Sequence, residues 1–280
     1  CQSLSRETGL HPLVAGILYR RGYCTPDEVG IFLQPELRQL RDPFLLRHMQ
    51  EAVELVLPSL RENRRILILG DYDVDGITST ALLLSFLRDA GCSQLDYFIP
   101  QRLQHGYGLT PASVDVILSR QPELVITVDN GITARKEVQQ LQNEGIRVLI
   151  PDHPLALPDS LPETVTVNPN HPACSYPFKK ISGCGVAFKL VMALRKALRD
   201  VAWWNERRPE PNLRQLLDFA ALGTVADVVD LRDENRLLVH AGLQLMNNQP
   251  RPAIQALKQV KRVDGEITAT TLGFKFAPLM

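Results

Sequence analysis

The sequence predicts an α/β protein: a mostly parallel sheet covered by helices on both faces, with a helical N-terminal segment and a helical C-terminal extension. Two observations carry this. From Arg64 to about Ile150, short apolar runs alternate with stretches of helical spacing, in the order RILILG, a helix to Asp89, LDYFIP, PASVDVILSR, LVITVD, TARKEVQQLQNEG and IRVLIP. Such alternation builds strand–helix–strand units whose parallel strands lie buried between helical layers. The junction around Gly70 shows how one unit closes. The apolar run Ile66–Leu69 ends in Asp71, Asp73 and Asp75, and the helical ITSTALLLSFLRDAG follows, stopped at Gly91.

Taken in order, residues 1–63 read as short helices. TPDEVGIFL opens on an N-cap-like Thr25 followed by Pro26, and HMQEAVELVLPSLREN has helical spacing. Residues 64–245 form the main domain, in which TVTVNP is a further strand and GVAFKLVMALRKALRD and NLRQLLDFAALG are amphipathic helices, with a lesser boundary near Trp203 to Pro211. ENRLLVHAGLQLMNN, RPAIQALKQV and ITATTLGF again read helical, and residues 246–280 are expected to begin a connection to a second domain. No internal repeat or low-complexity tract interrupts the pattern.

With 280 residues, 45% of them apolar and 22% charged, the chain can bury a sizeable core. Lys plus Arg and Asp plus Glu balance at 31 each, so no global field draws the protein to nucleic acid or membrane, and any such site is a local patch. Cys1, Cys24, Cys92, Cys174 and Cys184 are odd in number and scattered without a C-x-x-C pair. That argues against a disulfide framework or thiolate zinc site and for a reducing cytoplasm. No apolar run approaches the roughly 18 residues of a membrane span, and the N-terminus lacks a signal-peptide pattern. Opening on Cys1 and stopping in FKFAPLM without cap or turn, the sequence reads as a segment of a longer protein.

Carboxylates as crowded as Asp71, Asp73 and Asp75 repel one another unless a cation sits among them. A calcium loop of the EF-hand type opens with Asp-x-Asp-x-Asp-Gly, but its twelfth position here is Leu82 where a bidentate Glu is required, and a strand enters where a helix should. Two more strands end in the same chemistry: LVITVD in Asp129, followed by Asn130-Gly131, and IRVLIP in Asp152-His153. Alone, the first is an ordinary tight turn and the second an ordinary capped loop. Together they matter, because parallel strands bring their carboxyl ends to one edge, where these aspartates and His153 converge. Asp227, in ALGTVADVVDL, is a further acidic residue among small and apolar neighbours, with an N-cap as its structural alternative. Oxygen ligands with one imidazole suit Mn²⁺ or Mg²⁺, and several carboxylates favour two ions. Two ions about 3.5–4 Å apart can activate a shared water and neutralise a phosphate, the logic of metal-dependent phosphoester hydrolysis.

On these motifs the chain resembles the DHH phosphoesterase superfamily and, within it, the RecJ-type exonucleases that degrade single-stranded DNA from the 5′ end. The resemblance lies in DYDVDG (71–76), VDNG (128–131), DHP (152–154) and GTVADVVDL (223–231), supported by HGYGLT (105–110), VNPN (167–170) and SGCGVAFKL (182–190), over roughly residues 10–280. It implies a two-ion site, Mn²⁺ preferred and Mg²⁺ possible, held by Asp73, Asp75, Asp129, His153 and Asp227, with Asp129 bridging. Asp71 is implied in a supporting catalytic role. Asn130 and Asp152 stand behind the ligands, Asp152 orienting His153 through its other ring nitrogen. The implied activity is a 5′→3′ exonuclease of DNA repair and recombination, monomeric, with single-stranded DNA as substrate and single-strand-binding protein or a helicase as partner. Arg102, His105, Tyr107, Lys179, Lys180 and Lys189 are the basic or aromatic residues expected to face the strand.

Two departures qualify the resemblance. Pro154 stands where the family's second histidine is expected, and proline cannot ligate, donate or titrate. Losing one group beside a scissile phosphate costs about 10²–10³ in rate. The family's Gly-Gly-His domain and the single-strand-gripping OB-fold are also absent from these residues. The alternatives are therefore a weakened or silent DHH domain that binds nucleic acid or a replication partner, and a phosphodiesterase of oligonucleotides or cyclic dinucleotides. The surviving carboxylates favour the enzyme.

Overall fold

Five short strands form one wholly parallel sheet in the order β2-β1-β3-β4-β5: β1 Ile66–Leu69, β2 Leu95–Phe98, β3 Leu124–Thr127, β4 Arg147–Pro151 and β5 Val165–Val167. The structure is a computed structural model and describes residues 2–155 and 157–280. Every residue of β1 and β3 is buried, as uniformly apolar strands demand when both faces are covered.

The two-residue alternation of a strand divides these side chains between two cores. Ile66 and Ile68 of β1 and Leu124 and Ile126 of β3 pack with α4 (Met49–Arg61), α5 (Val74–Asp89) and α8 (Gly183–Asp200). Leu67, Leu69 and Val125 point the other way, onto α6 (Pro111–Arg120) and α7 (Arg135–Asn143). Before the sheet lie α1 (Gln2–Thr8), α2 (Pro12–Arg20) and α3 (Pro26–Leu33), whose capping box between Thr25 and Glu28 matches the expected start. They build a small separate core around Leu4, Ala15, Leu18 and Val29.

After α8 come α9 (Leu217–Ala226), α10 (Asp233–Asn248) and α11 (Pro252–Val260), then a turn of helix at Ala269–Thr271 that runs into π-helical geometry over Leu272–Phe276. NLRQLLDFAALG is thus a 3₁₀ turn, Leu213–Leu216, leading into α9. The helix α10 crosses residue 245 without a break, and Met246, Ile254, Ile267, Leu272 and Phe276 pack on Ala221, Leu222 and Val239. Among the described residues Cys24, Cys92, Cys174 and Cys184 are free, and no helix is long and apolar enough to cross a membrane.

From β1 the chain steps outward to β2 and then crosses back to β3 on the other side. The connections therefore diverge at the carboxyl ends of β1 and β3, which opens the crevice where ligands of open α/β sheets bind.

Candidate metal centre

The three aspartates after β1 occupy three different structural positions. Helix α5 begins at Val74, three residues before the expected start, because Asp73 caps it: its Oδ1 accepts from Gly76 N at 2.9 Å. Asp75 therefore sits in the first helical turn, fully buried, and Asp71 lies in the buried turn before it. Asp75 is pinned by the N-terminus of α8, where Gly183 N donates to Oδ2 at 2.7 Å and Cys184 N to Oδ1 at 3.0 Å. The helix end satisfies one side of the carboxylate and stabilises its charge.

Asp129 follows β3 in the left-handed region, φ 61°, a conformation that Asp tolerates better than most residues. Gly183 lies against it so closely that a Cβ there would fall on Asp129 Oδ1. Asn130 is buried beside it and donates through Nδ2 to Val128 O (2.8 Å) and Leu69 O (3.2 Å), which ties the ends of β3 and β1 together.

After β4, His153 turns its Nε2 to within 3.0 Å of Asp129 Oδ1 and 3.7 Å of Asp227 Oδ2. Asp152 does not act as expected from the resemblance. Its Oδ1 accepts from the backbone N of His153 (2.8 Å) and its Oδ2 from Ile132 N (3.1 Å), so it shapes the turn and reaches the imidazole only through its charge, with no bond to a ring nitrogen. VNPN, identified only by resemblance, has a physical role here. Asn170 Nδ2 donates to His153 O at 2.6 Å and Asn168 Nδ2 to Pro154 O at 3.0 Å, so the two asparagines hold the turn carrying His153 and the exposed Pro154.

Asp227 is not an N-cap. It occupies the C-cap of α9, and its Oδ2 is buried without a hydrogen-bond partner. Asp75, His153 and Asp227 each offer a ligand atom, all within 4.8 Å of one another, and Asp129 abuts His153. Asp73, although exposed, is close enough for its charge to act on Asp71, Asp129 and Asp227.

The electrostatics are those of an uncompensated site. Burial pushes Asp75 well up, and the charges of Asp129 and Asp227 add to the shift. Burial also drives Asp129 up, with Asp73 and Asp152 contributing. Asp71 and Asp152 are each raised to about 6, again chiefly by burial. Asp71 has no well-formed hydrogen bond on either oxygen, with only Tyr72 N and the Tyr107 hydroxyl near enough to temper the shift, and Asn130 Oδ1 is orphaned. Buried carboxylates without partners are costly unless a cation answers them. Oxygen atoms plus one imidazole, open on one side, fit Mn²⁺ or Mg²⁺. A cavity of about 770 Å³ lies away from this chemistry, between His48, Leu55, Arg147, Thr166 and His171.

The expected strand-facing residues divide sharply. Arg102 lies exposed over the Tyr72 ring at 5.6 Å, and Tyr72 meets Tyr107 edge-on at 5.9 Å. Tyr107 reaches Asp129 O at 3.3 Å through its hydroxyl, so this group forms one wall of the crevice. His105 stands behind it, accepting from Gln101 N and packed on Phe98. Lys179 donates to Pro169 O and Cys174 O, both at 2.7 Å, and Lys180 pairs with Asp230. Lys189 cannot touch a strand. It is fully buried and donates to Glu234 Oε1 at 2.5 Å and Arg41 O at 2.8 Å. Spacing within one helix could not reveal a partner 45 residues away. Tyr72 was also missed, although its position between two site aspartates was the signal for it.

Residues 65–224 match the family model described as the DHH family, N-terminal domain. The single-stranded-DNA-specific exonuclease RecJ of Escherichia coli (strain K12) is 41% identical over 273 residues, which cover 96% of this chain and 46% of that protein. RecJ of Bacillus subtilis (strain 168) is 37% identical over 278 residues, 99% of this chain and 34% of that protein. The chain thus spans less than half the length of these relatives. Among solved structures, RecJ in complex with Mn²⁺ from Thermus thermophilus superposes with a TM-score of 0.76 at 30% identity, over 99% of this chain and 37% of that one. An exonuclease RecJ bound to manganese gives 0.71 at 34% identity, over 86% of this chain and 57% of that one. Matched by that model over more than half its length, and by RecJ proteins over nearly all of it, the chain belongs to the DHH family.

Proposed function

We propose that this chain is the catalytic part of a metal-dependent phosphodiesterase that removes nucleotides from single-stranded DNA in the 5′→3′ direction, serving DNA repair and recombination. The observation that carries the reading is the meeting of Asp75, Asp129, His153 and Asp227, with orphaned buried oxygens, at the sheet edge where β1 and β3 diverge. Similarity to RecJ structures that hold Mn²⁺ supports the choice of ion. The residues that would hold it are Asp73, Asp75, Asp129, His153 and Asp227. Divalent ions there supply charge for the phosphate and acidify water.

The chain's own residues set the geometry. Asp75 is fixed by two backbone N–H groups, while Asp129 and His153 meet side by side at 3.0 Å. Arg102, Tyr72 and Tyr107 offer a guanidinium and two rings at the wall, the groups on which bases of a single strand stack. Lys180 lies at the exposed rim beside Asp230. Pro154 leaves the segment after His153 without a side-chain donor.

The test is Mn²⁺-dependent release of mononucleotides from 5′-labelled single-stranded DNA. Wild type should release them, Asp75→Ala should be slower by about 10²–10³-fold or more, and Pro154→His should be faster than wild type. Pro154 also motivates a second reading, a DHH domain that binds nucleic acid or a replication partner without cutting. Tight single-strand binding with no release by wild type or Pro154→His would favour that reading and sink the first.

A further inference from the structure

The turn that follows Asp227 is held in a conformation its sequence disfavours. Val228 adopts φ 59°, in the left-handed region, where a β-branched side chain crowds its own backbone. Its side chain is 87% exposed, so burial of the valine gives nothing in return. What holds the turn lies further along. Asp230 pairs with Lys180, and its carbonyl accepts from Asn235 Nδ2 at 3.0 Å. Arg232 donates to Arg21 O and stacks over Tyr23 at 5.0 Å. Asp233, itself left-handed at φ 47°, takes two bonds from Arg41, at 2.5 and 2.8 Å. Arg41 also joins Glu234 through its backbone N at 2.9 Å, and its carbonyl accepts from Lys189. The N-terminal segment thus grips the end of the turn at two places, Arg232 on Arg21 and Tyr23 and Arg41 on Asp233, the latter a two-bond ion pair five residues after the strained valine.

Resting on the metal reading above, we infer that Arg41 is a positioning residue for the ion site. Its pair with Asp233 holds the 228–233 turn in the left-handed form that aims the Asp227 carboxylate at Asp75 and His153. Groups hydrogen-bonded to a metal ligand typically change affinity by about 10–100-fold when removed, and a residue acting through the turn falls at the low end of that range. Glycine occupies the left-handed region freely, so Val228→Gly removes the need for the grip.

The experiment is calorimetric titration of Mn²⁺ into the folded chain, well below its melting temperature, with folding checked by circular dichroism. Arg41→Met should weaken Mn²⁺ binding about tenfold, and Val228→Gly added to Arg41→Met should bring it back to within about twofold of wild type. Val228→Gly alone should leave affinity near wild type and raise the melting temperature. If Arg41→Met fails to fold, Asp233→Gly makes the same break, since it removes both acceptor oxygens with a residue that adopts the backbone angle freely. Wild-type affinity in the Arg41→Met chain, or no recovery with glycine, overturns the inference alone. A wild-type chain that binds no Mn²⁺ overturns the metal reading and the inference with it.

Discussion

Two buried clusters of charge lie in this molecule and are built on opposite terms. At the crevice, Asp71, Asp75, Asp129 and Asp152 gather with one imidazole among them, and several oxygens have no partner. Between α8 and α10, Lys189 meets Glu234, whose two oxygens also receive Arg41 N and the Tyr176 hydroxyl. The second cluster is compensated within the protein. The first is not, and it includes Asp75 and Asp129, two of the residues proposed to hold the ion. The difference teaches that burial alone does not mark a functional charge. What marks it is buried like charge that no cation of the chain neutralises.

The largest expected effect breaks the compensated cluster. Glu234→Ala leaves the Lys189 ammonium buried and unpaired, which should cost about 3–5 kcal/mol. The melting temperature should fall by about 10 °C, and a fall under about 2 °C would mean that the pair is not held as described.

The acidic cluster should respond to pH in the opposite sense from an ion pair. Asp71 and Asp152 are raised from 3.8 to about 6, so the folded chain holds their protons more tightly than the unfolded one. Without metal, that stabilisation is complete below about pH 3.8 and is lost as pH rises through 6. Each group contributes about 3 kcal/mol on this reckoning. Melting of the metal-free protein between pH 5 and 7.5 should show a falling midpoint, and a midpoint that climbs would contradict the cluster's electrostatics.

A smaller effect sharpens the contrast. Asp129→Asn removes one like charge, so the metal-free protein should melt about 2–5 °C higher at pH 7.5 while Mn²⁺-dependent cleavage is lost. Stabilisation together with inactivation separates a functional residue from a structural one. Lower stability would place Asp129 with the compensated kind.

The sheet was legible because its strands are short, apolar and regularly interleaved with helices, and all five fall where the sequence predicts. Convergence at one edge followed from parallel strands alone. The start of α5 was misjudged because Asp73 caps the helix, and its cap bond to Gly76 pulls Asp75 into the first turn. Asp152 and Lys189 were misread for a different reason. Their partners, Ile132 N and Glu234, are set by packing between segments remote in sequence, and residue type carries no trace of that.

Two glycines near the crevice carry a further consequence. A Cβ on Gly183 would fall on Asp129 Oδ1, and one on Gly223 would fall on both Asp75 Oδ1 and Thr78 Oγ1. Neither residue has a side chain with which to touch a substrate. In a saturation-mutagenesis map of this chain both would nonetheless score like catalytic positions, intolerant even of alanine, because the space they leave empty is what the carboxylates occupy.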